Sequence, residues 1–272
     1  MTAGGDATPH LVVERAGIAT SLRDGGRTGL AHLGRSRGGA VDRDALRLAN
    51  RLVGNTADAP AFETSGGLVV VAERAVLVAV TGSQVDLDVS GGPPLGWGVA
   101  TALPAGAVLR IGRLRSGARV YLAVRGGVRS GARADGVWLA DVPVVGEPSP
   151  VAAVPRPLDR PVRLWPGPRL DWFEHEAWAT LTSNRFTVGA DSDRVGVRLA
   201  GPAIRTAGRG ELPSEGLVEG AVQVPPDGRP IVMLADHPVT GGYPVIAVVD
   251  RADLEVIAQT PPGSSVGFEA AR

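Results

Sequence analysis

The residues with the most chemistry to offer fall in one stretch, Glu211 to Val249, ELPSEGLVEGAVQVPPDGRPIVMLADHPVTGGYPVIAVV. Ser214, Glu215, Gln223, Asp236, His237, Thr240, Gly241, Gly242 and Tyr243 stand there between apolar runs, with an X-Pro bond at Tyr243-Pro244. Hydrogen-bonding groups at the ends of buried strands are the usual make-up of a small-molecule binding rim. Each also has a structural reading. The two glycines suit a turn needing positive φ, Asp236 can satisfy turn amides, and Gln223 can pair with backbone in the core. Two arginines in SDRVGVRL, Arg194 and Arg198, would share one face of a strand; they either aim at one anion or belong to a salt-bridged sheet face. Arg23, Arg27, Arg35 and Arg37 crowd a Gly-rich segment as a solvated face or an anion clamp. Asn50, and likewise Glu63, is either a buried group tying down a loop or a substrate contact.

The elements that must position these groups are mostly strands. Val222–Val224, Ile231–Leu234 and Val245–Val249 are short β-branched runs bounded by Pro and Gly. Upstream, Leu11–Val13 reads as a short strand, and from Leu68 to Gly127 the strands Leu68–Ala72, Val76–Val80, Val85–Val89, Val108–Ile111 and Arg119–Val124 follow at a spacing of about ten residues, which predicts a closed or nearly closed barrel. One helix is predicted over 42–53, with Asp42 as cap, an apolar stripe of Ala45, Leu46, Ala49, Leu52 and Val53, and Gly54 at its end. Thr20 to Gly39 reads as loop. Six prolines crowd the region around 143–161, a linker between an N-terminal lobe, 1–142, and a C-terminal lobe, 162–272. In the second lobe Arg163–Trp165, Phe186–Val188, Val195–Leu199 and Val266–Phe268 read as strands, Asp171–Thr182 as an amphipathic helix with core aromatics, and Asp253–Ala258 as a short helix. Met1–Pro9 reads as a disordered leader. The expected class is mainly β with a few helices in two β-barrel-like lobes.

Composition narrows the chemistry. The chain has 272 residues, 44% hydrophobic and 21% charged, with a formal net charge of zero. No block of like charge points to nucleic acid or a membrane surface, and no apolar run approaches the roughly 20 residues of a membrane-spanning helix. A cytoplasmic location is expected. Cysteine is absent, and all 28 basic residues are arginine. The chain therefore has no thiolate nucleophile or thiolate metal site, no phosphate-loop lysine, no Schiff-base lysine and no biotinyl-lysine. A nucleotide or carried carboxyl group must be held by arginine or backbone amides, or by another chain. The four histidines form no HExxH pattern, and Glu174-His175-Glu176 on a predicted helix would point to different faces, so no metal site is expected.

Several segments carry a resemblance: GAVQVPPDGRP and DHPVTGGYPVIAVV, with GRTGLAHLGRSRGGAVDRDALRLANRLVGN, VYLAVRGGV, LWPGPRLDWF and SDRVGVRLAGP. Over nearly its whole length the chain resembles the carboxyltransferase-like family. That family includes the C subunit of bacterial 5-oxoprolinase, the second subunit of proteins long named allophanate hydrolase, the carboxyltransferase domain of urea carboxylase and a sporulation-kinase regulator. After VYLAVRGGV those relatives continue through a longer segment containing GSRST; here it is shortened to RSGARADGVWLADVPVVG, with Ser130-Gly131-Ala132-Arg133 as a remnant.

The resemblance implies a cyclophilin-like fold and, as the leading reading, the C subunit of an ATP-dependent 5-oxoprolinase that opens 5-oxoproline to L-glutamate with a homologous B subunit and a third partner. ATP would be a co-substrate of the complex rather than of this chain. In that reading Arg194 and Arg198 supply electrostatic stabilisation, Asp236 or Glu215 is the general base, and Tyr243 and Gln223 orient the carbonyl. Ser214, Thr240, Gly241, Gly242, His237 and Asn50 complete the substrate contacts. The alternatives are a biotin-dependent carboxyltransferase acting on urea or a related amide, and a non-catalytic regulator of a homologous kinase-inhibitor subunit.

Overall fold

A computed structural model describes residues 10–130, 136–139, 144–150, 153–154 and 157–272. The leader 1–9, most of the Ser130–Arg133 remnant and parts of the Pro-rich 143–161 segment lie outside the described residues. The chain divides into two units, Met1–Gly25 with Arg43–Arg156, and Gly26–Asp42 with Pro157–Arg272. The arginine- and glycine-rich segment 26–42 thus belongs to the second unit. Both units are mainly β, as the strand spacing predicts.

The first unit wraps two antiparallel sheets around one core. The six-stranded sheet runs Val128–Ser130, Gly136–Leu139, Leu11–Arg15, Val69–Ala72, Val108–Leu114, Val85–Ser90, and the five-stranded sheet Ser21–Arg23, Ala61–Thr64, Val120–Val124, Val76–Gly82, Thr101–Leu103. Side chains alternate along each strand. Phe62, Val78, Val80, Leu122 and Val124 of one sheet accordingly meet Leu11, Val70, Leu109 and Ile111 of the other. On the opposite face of the five-stranded sheet, Glu63 and Thr81 flank Tyr121 in register. The helix Arg43–Leu52 covers that face with Ala45, Leu46, Ala49 and Leu52 buried, and Thr81 Oγ1 donates to Ala45 O at 2.7 Å. Ser21–Arg23, in a segment predicted as loop, is a strand because it pairs with Ala61–Thr64; three residues carry no periodicity to read.

The second unit is a barrel of seven strands that closes on itself. Its order is Val162–Pro166, Val245–Val249, Ala221–Gln223, Ile231–Met233, Gly196–Ala200, Arg185–Val188, Ser265–Ala270, and the last pairs in parallel with the first. Val222, Val232, Leu199, Phe186, Phe268, Ile246 and Leu164 fill the interior, each worth about 1.5–3 kcal/mol of burial. Val41, from segment 26–42, joins this core. The predicted Asp171–Thr182 helix is split: a single turn, Leu170–Trp172, then extended Phe173, then the helix Ala177–Ser183. Phe173 breaks it by bridging to Thr206 while Glu174 N donates to Arg205 O at 3.1 Å, so Glu174, His175 and Glu176 lie ahead of the helix. The short helix near the C-terminus runs Leu254–Gln259. Among the described residues no helix is long and apolar enough to cross a membrane.

Candidate functional site

In the barrel unit the polar residues of the 211–249 stretch fall into two groups, the first on the turn that leaves Ile231–Met233. Leu234 N donates to Val195 O at 2.9 Å and Asp236 N to Arg194 O at 3.0 Å, so backbone pairing continues past the strand ends. Across that pairing Arg194 Nε donates to Asp236 Oδ2 at 2.8 Å and Nη2 to Oδ1 at 3.3 Å, a fork on both carboxylate oxygens. Arg194 Nη2 also donates to Gly39 O, while Gly38 N donates to Ala235 O at 2.9 Å. Three segments of the second unit meet here. Gly38 and Gly39 hold φ of +60° and +78°, a left-handed pair that only glycine adopts cheaply. Next along the chain His237 is 6% exposed, with Nδ1 2.7 Å from Pro238 O.

A two-stranded ribbon lies beyond it. Glu215 pairs with Gly241 and Gly216 with Thr240, and Leu217 anchors the ribbon in a small apolar cluster with Ala221, Met233 and Val245. Its approach to the barrel is close: a Cβ on Gly241 would lie 2.7 Å from Gln223 Nε2. Gln223 is buried and its Nε2 donates to Tyr243 O at 2.9 Å, which fixes the backbone where the exposed Tyr243 side chain leaves. Glu215 is clasped by Arg169, whose Nε donates to Oε2 at 3.0 Å and whose Nη2 donates to Oε1. The hydrogen bonds from Arg169 hold the Glu215 carboxyl below the usual carboxylate range. Arg169 is placed by the Pro-Gly-Pro turn before it, where Gly167 N donates to Ile246 O at 2.8 Å and Arg169 N to Val245 O at 3.2 Å. Ser214, just ahead of the ribbon, and Thr240, within it, are exposed, and Ser214 Oγ lies 4.0 Å from where Gly242 would carry a Cβ.

The family described as carboxyltransferase domain, subdomain A and B, matches residues 33–137 and 138–270. The chain belongs to this family. It is 35% identical to the 5-oxoprolinase C subunit of Escherichia coli, over 95% of this chain and 90% of that one, and 31% identical to the Haemophilus influenzae protein of the same name, over 92% and 87%. The urea amidolyase of Lachancea kluyveri is 28% identical over 94% of this chain, which spans only 16% of that protein. Among solved structures the chain superposes on TTHA0988 with a TM-score of 0.85 at 37% identity, covering 96% of this chain and 55% of that one. It thus spans about half the length of that solved relative. On the Kluyveromyces lactis urea amidolyase the TM-score is 0.85 at 25% identity, covering 97% of this chain and 19% of that chain.

Within this family member the structure gathers Asp236, Arg194, His237, Thr240, Gly241, Gly242, Tyr243, Glu215, Ser214 and Gln223 in the second unit. Arg198 and Asn50 are placed otherwise. The strand begins at Gly196, so Arg194 precedes it, and the two guanidiniums take different carboxylates: Arg198 Nε lies 3.1 Å from Asp191 Oδ2. Arg198 lines a separate cavity of about 150 Å³ with Asp191, Asp227 and Arg229. Asn50 belongs to the first unit and is fully buried, its Nδ2 donating to Ala59 O at 2.8 Å and its Oδ1 accepting from Asn55 Nδ2 at 2.9 Å. That is the loop-tying role. Glu63 is likewise internal, accepting from Tyr121 Oη at 2.7 Å. Sequence reasoning missed Arg169, the partner of Glu215, and the docking of Gly38-Gly39 on Ala235 and Arg194. Neither has a local signal, because the partners lie far apart in the chain.

Proposed function

We propose that this chain is the C-type subunit of an ATP-dependent 5-oxoprolinase, which opens the lactam of 5-oxoproline to L-glutamate together with a homologous B subunit and a third partner. The observation that carries the reading is the 35% identity to the 5-oxoprolinase C subunit across 95% of this chain and 90% of that protein. The two chains correspond nearly end to end, whereas the match to urea amidolyase spans 16% of that protein. The composition agrees with a subunit role: all 28 basic residues are arginine, so this chain offers no phosphate-loop lysine for ATP and no lysine to carry biotin.

The rim of the second unit is the proposed substrate site. A lactam is a resonance-stabilised amide, and its opening develops negative charge on the carbonyl oxygen, which a preorganised cation stabilises. Arg194, locked in orientation by Asp236 and Gly39 O, is that cation. Asp236 acts through Arg194 as a positioning residue. Tyr243, Thr240 and Ser214 offer hydroxyls to the substrate carboxylate and ring N–H, while Gln223 fixes the backbone at Tyr243. ATP serves as co-substrate of the complex.

The test is 5-oxoproline-dependent ATP hydrolysis and glutamate release by this chain alone and after co-expression with its neighbouring subunits. Activity in the mixture only, with loss of about 10²-fold or more in Arg194→Ala, is the expected result. No glutamate from an intact assembly overturns the reading, and biotin-dependent carboxylation of urea in its place would assign the chain to the activity family suggested by its urea amidolyase relatives.

A further inference from the structure

We propose that the cavity on the outer face of the barrel is a binding site for the carboxylate of a small acid, held by Arg198 and Arg229. The inference goes beyond the 5-oxoprolinase reading and does not depend on it. Gly196, Val197 and Arg198 pair with Met233, Val232 and Ile231, which sets Arg198 opposite Ile231. Val197, Leu199 and Val232 are buried in the core, and alternation along the strands turns Arg198 and Ile231 outward. Leu199 N donates to Pro230 O at 2.9 Å. The pairing thus runs on past the strand, and Arg229 falls on the same outward face, diagonal to Arg198. Both arginines line the cavity of about 150 Å³, with Asp191 and Asp227. It lies at the start of the strand Ile231–Met233, whereas the Asp236–Arg194 turn lies past its end.

The two guanidiniums are open to a ligand, and the backbone beneath them is set. Among the described residues the Arg229 guanidinium has no carboxylate partner and donates to no protein oxygen. Arg198 Nε lies 3.1 Å from Asp191 Oδ2, with the two side chains 55% and 70% exposed. Such a pair is screened and weakly held, unlike Arg194, which Asp236 and Gly39 O lock in place. Asp227 Oδ1 accepts from Arg229 N at 3.1 Å, Gly228 N donates to Pro225 O at 2.9 Å and Ile204 N to Gly228 O at 2.9 Å, which fixes the turn that carries Arg229. On the other wall Gly189 N donates to Arg198 O at 2.8 Å. A Cβ on Gly189 would lie 2.6 Å from Asp191 Oδ1, so glycine leaves Asp191 the room to reach Arg198.

The lining selects among anions. A guanidinium presents paired N–H donors in one plane, which the two oxygens of a carboxylate match. Two arginines against two aspartates leave the lining with no net charge. A phosphate dianion would meet the repulsion of Asp191 and Asp227 in full, while a singly charged carboxylate meets half of it and keeps both forks. The size is that of a small molecule, since a cavity of about 150 Å³ takes a benzene ring. The carboxylate is common to 5-oxoproline and glutamate, the acids on either side of the reaction proposed above. They differ in the ammonium that only glutamate carries, for which the aspartates are acceptors.

The test is an amide-resolved titration of the isotope-labelled chain by itself with 5-oxoproline, L-glutamate and inorganic phosphate, at constant ionic strength. The expected result is saturable shifts at Gly189, Leu199 and Ile231 with at least one of the two acids, and weaker binding of phosphate. Arg198→Ala and Arg229→Ala should each raise the dissociation constant about ten-fold or more, because each removes a charge-assisted hydrogen bond. Arg198→Lys keeps the charge without the fork and should fall between wild type and Arg198→Ala. Melting temperature checks the fold, and where an alanine variant does not fold the lysine variant at that position decides. Tighter binding of glutamate makes this a product site and tighter binding of 5-oxoproline a substrate site. Shifts that sodium chloride reproduces, shifts confined to Thr240 and Gly241, affinity unchanged in both alanine variants, or phosphate bound more tightly than either acid overturn the proposal. No activity is read, so failure of the 5-oxoprolinase reading is seen separately, as absence of glutamate from the assembled complex.

Discussion

Two aspartate–arginine pairs of the second unit use the same side chains to opposite ends. Asp253 is fully buried and accepts four bonds: from Arg163 N and Nε at 2.8 Å, from Arg163 Nη2 at 2.9 Å and from Arg160 Nη1 at 2.6 Å. It pins the entry of the first barrel strand to the helix Leu254–Gln259. Asp236, with its side chain 29% exposed, receives one guanidinium, and its partner also reaches Gly39 O. The first carboxylate is saturated by its own fold. The second joins three segments of the second unit and stays partly exposed. Under the proposed function, burial and saturation, rather than residue type, separate the structural pin Asp253 from the site residue Asp236.

The largest effect that would break this comparison comes from Asp253→Ala. Removing the buried carboxylate takes away all four hydrogen bonds at once, while Arg160 keeps Glu255 and Arg163 keeps Asp250, and the expected loss is about 2–3 kcal/mol in chemical unfolding. A loss below about 1 kcal/mol would place Asp253 with Asp236. The same carboxyl gives the contrast a pH signature. Burial pushes the Asp253 carboxyl up, but the hydrogen bonds from Arg163 and Arg160 outweigh it and hold the group well below the usual range. With the native group depressed, the unfolded chain binds more protons as pH falls. The stability is therefore complete above about pH 4 and is lost progressively below it. Asp253→Asn should flatten the decline in melting temperature between neutral and acid pH relative to wild type.

Asp236→Ala should show the reverse balance: about 1 kcal/mol of stability, against about 10²-fold or more in glutamate formation by the assembled complex. Equal stability losses in the Asp236 and Asp253 variants, or activity within a few-fold of wild type in Asp236→Ala, would erase the distinction. Asn50→Ala tests the first unit in the same way. It removes a buried amide that bonds Ala59 O and Asn55, so about 1–3 kcal/mol of stability should go while KM for substrate in the complex stays unchanged. A raised KM at unchanged stability would return Asn50 to the substrate contacts.

What was legible in the sequence follows the range of the physics. The predicted helix over 42–53 appears as Arg43–Leu52 and the predicted strand at Val245–Val249 appears unchanged, because their periodicity and end signals are local. The polar stretch around Asp236 also stood out locally, by its contrast with the strands on either side. The pairings did not. Arg169 and Glu215 meet only because the Pro-Gly-Pro turn folds back on Val245 and Ile246, and segment 26–42 joins the barrel because Val41 enters its core and Asp42 accepts from Gln259 Nε2 at 2.8 Å. Arg194 read as a strand residue because valines at 195 and 197 extend the alternation past the true strand start at Gly196.

The smallest expected effect concerns the Glu215 clasp, which sits between the two aspartate cases. Glu215 is paired to Arg169 on both oxygens like a structural carboxylate, yet its side chain is 32% exposed like a rim one. If exposure governs, Glu215→Gln leaves global unfolding and melting temperature unchanged within error, since an accessible pair is largely screened. Its effect should then be confined to the ribbon, which the clasp ties to the Arg169 turn. Faster amide exchange at Gly216, Leu217 and Gly241, with no change at Val222 or Ile246, is the expected pattern. Because the Glu215 carboxyl is depressed by Arg169, wild type should approach the same local exchange as pH falls below about 4, while the variant stays flat. Faster exchange throughout the barrel would instead make the ribbon part of the cooperative core, and Glu215 a pin of the same kind as Asp253.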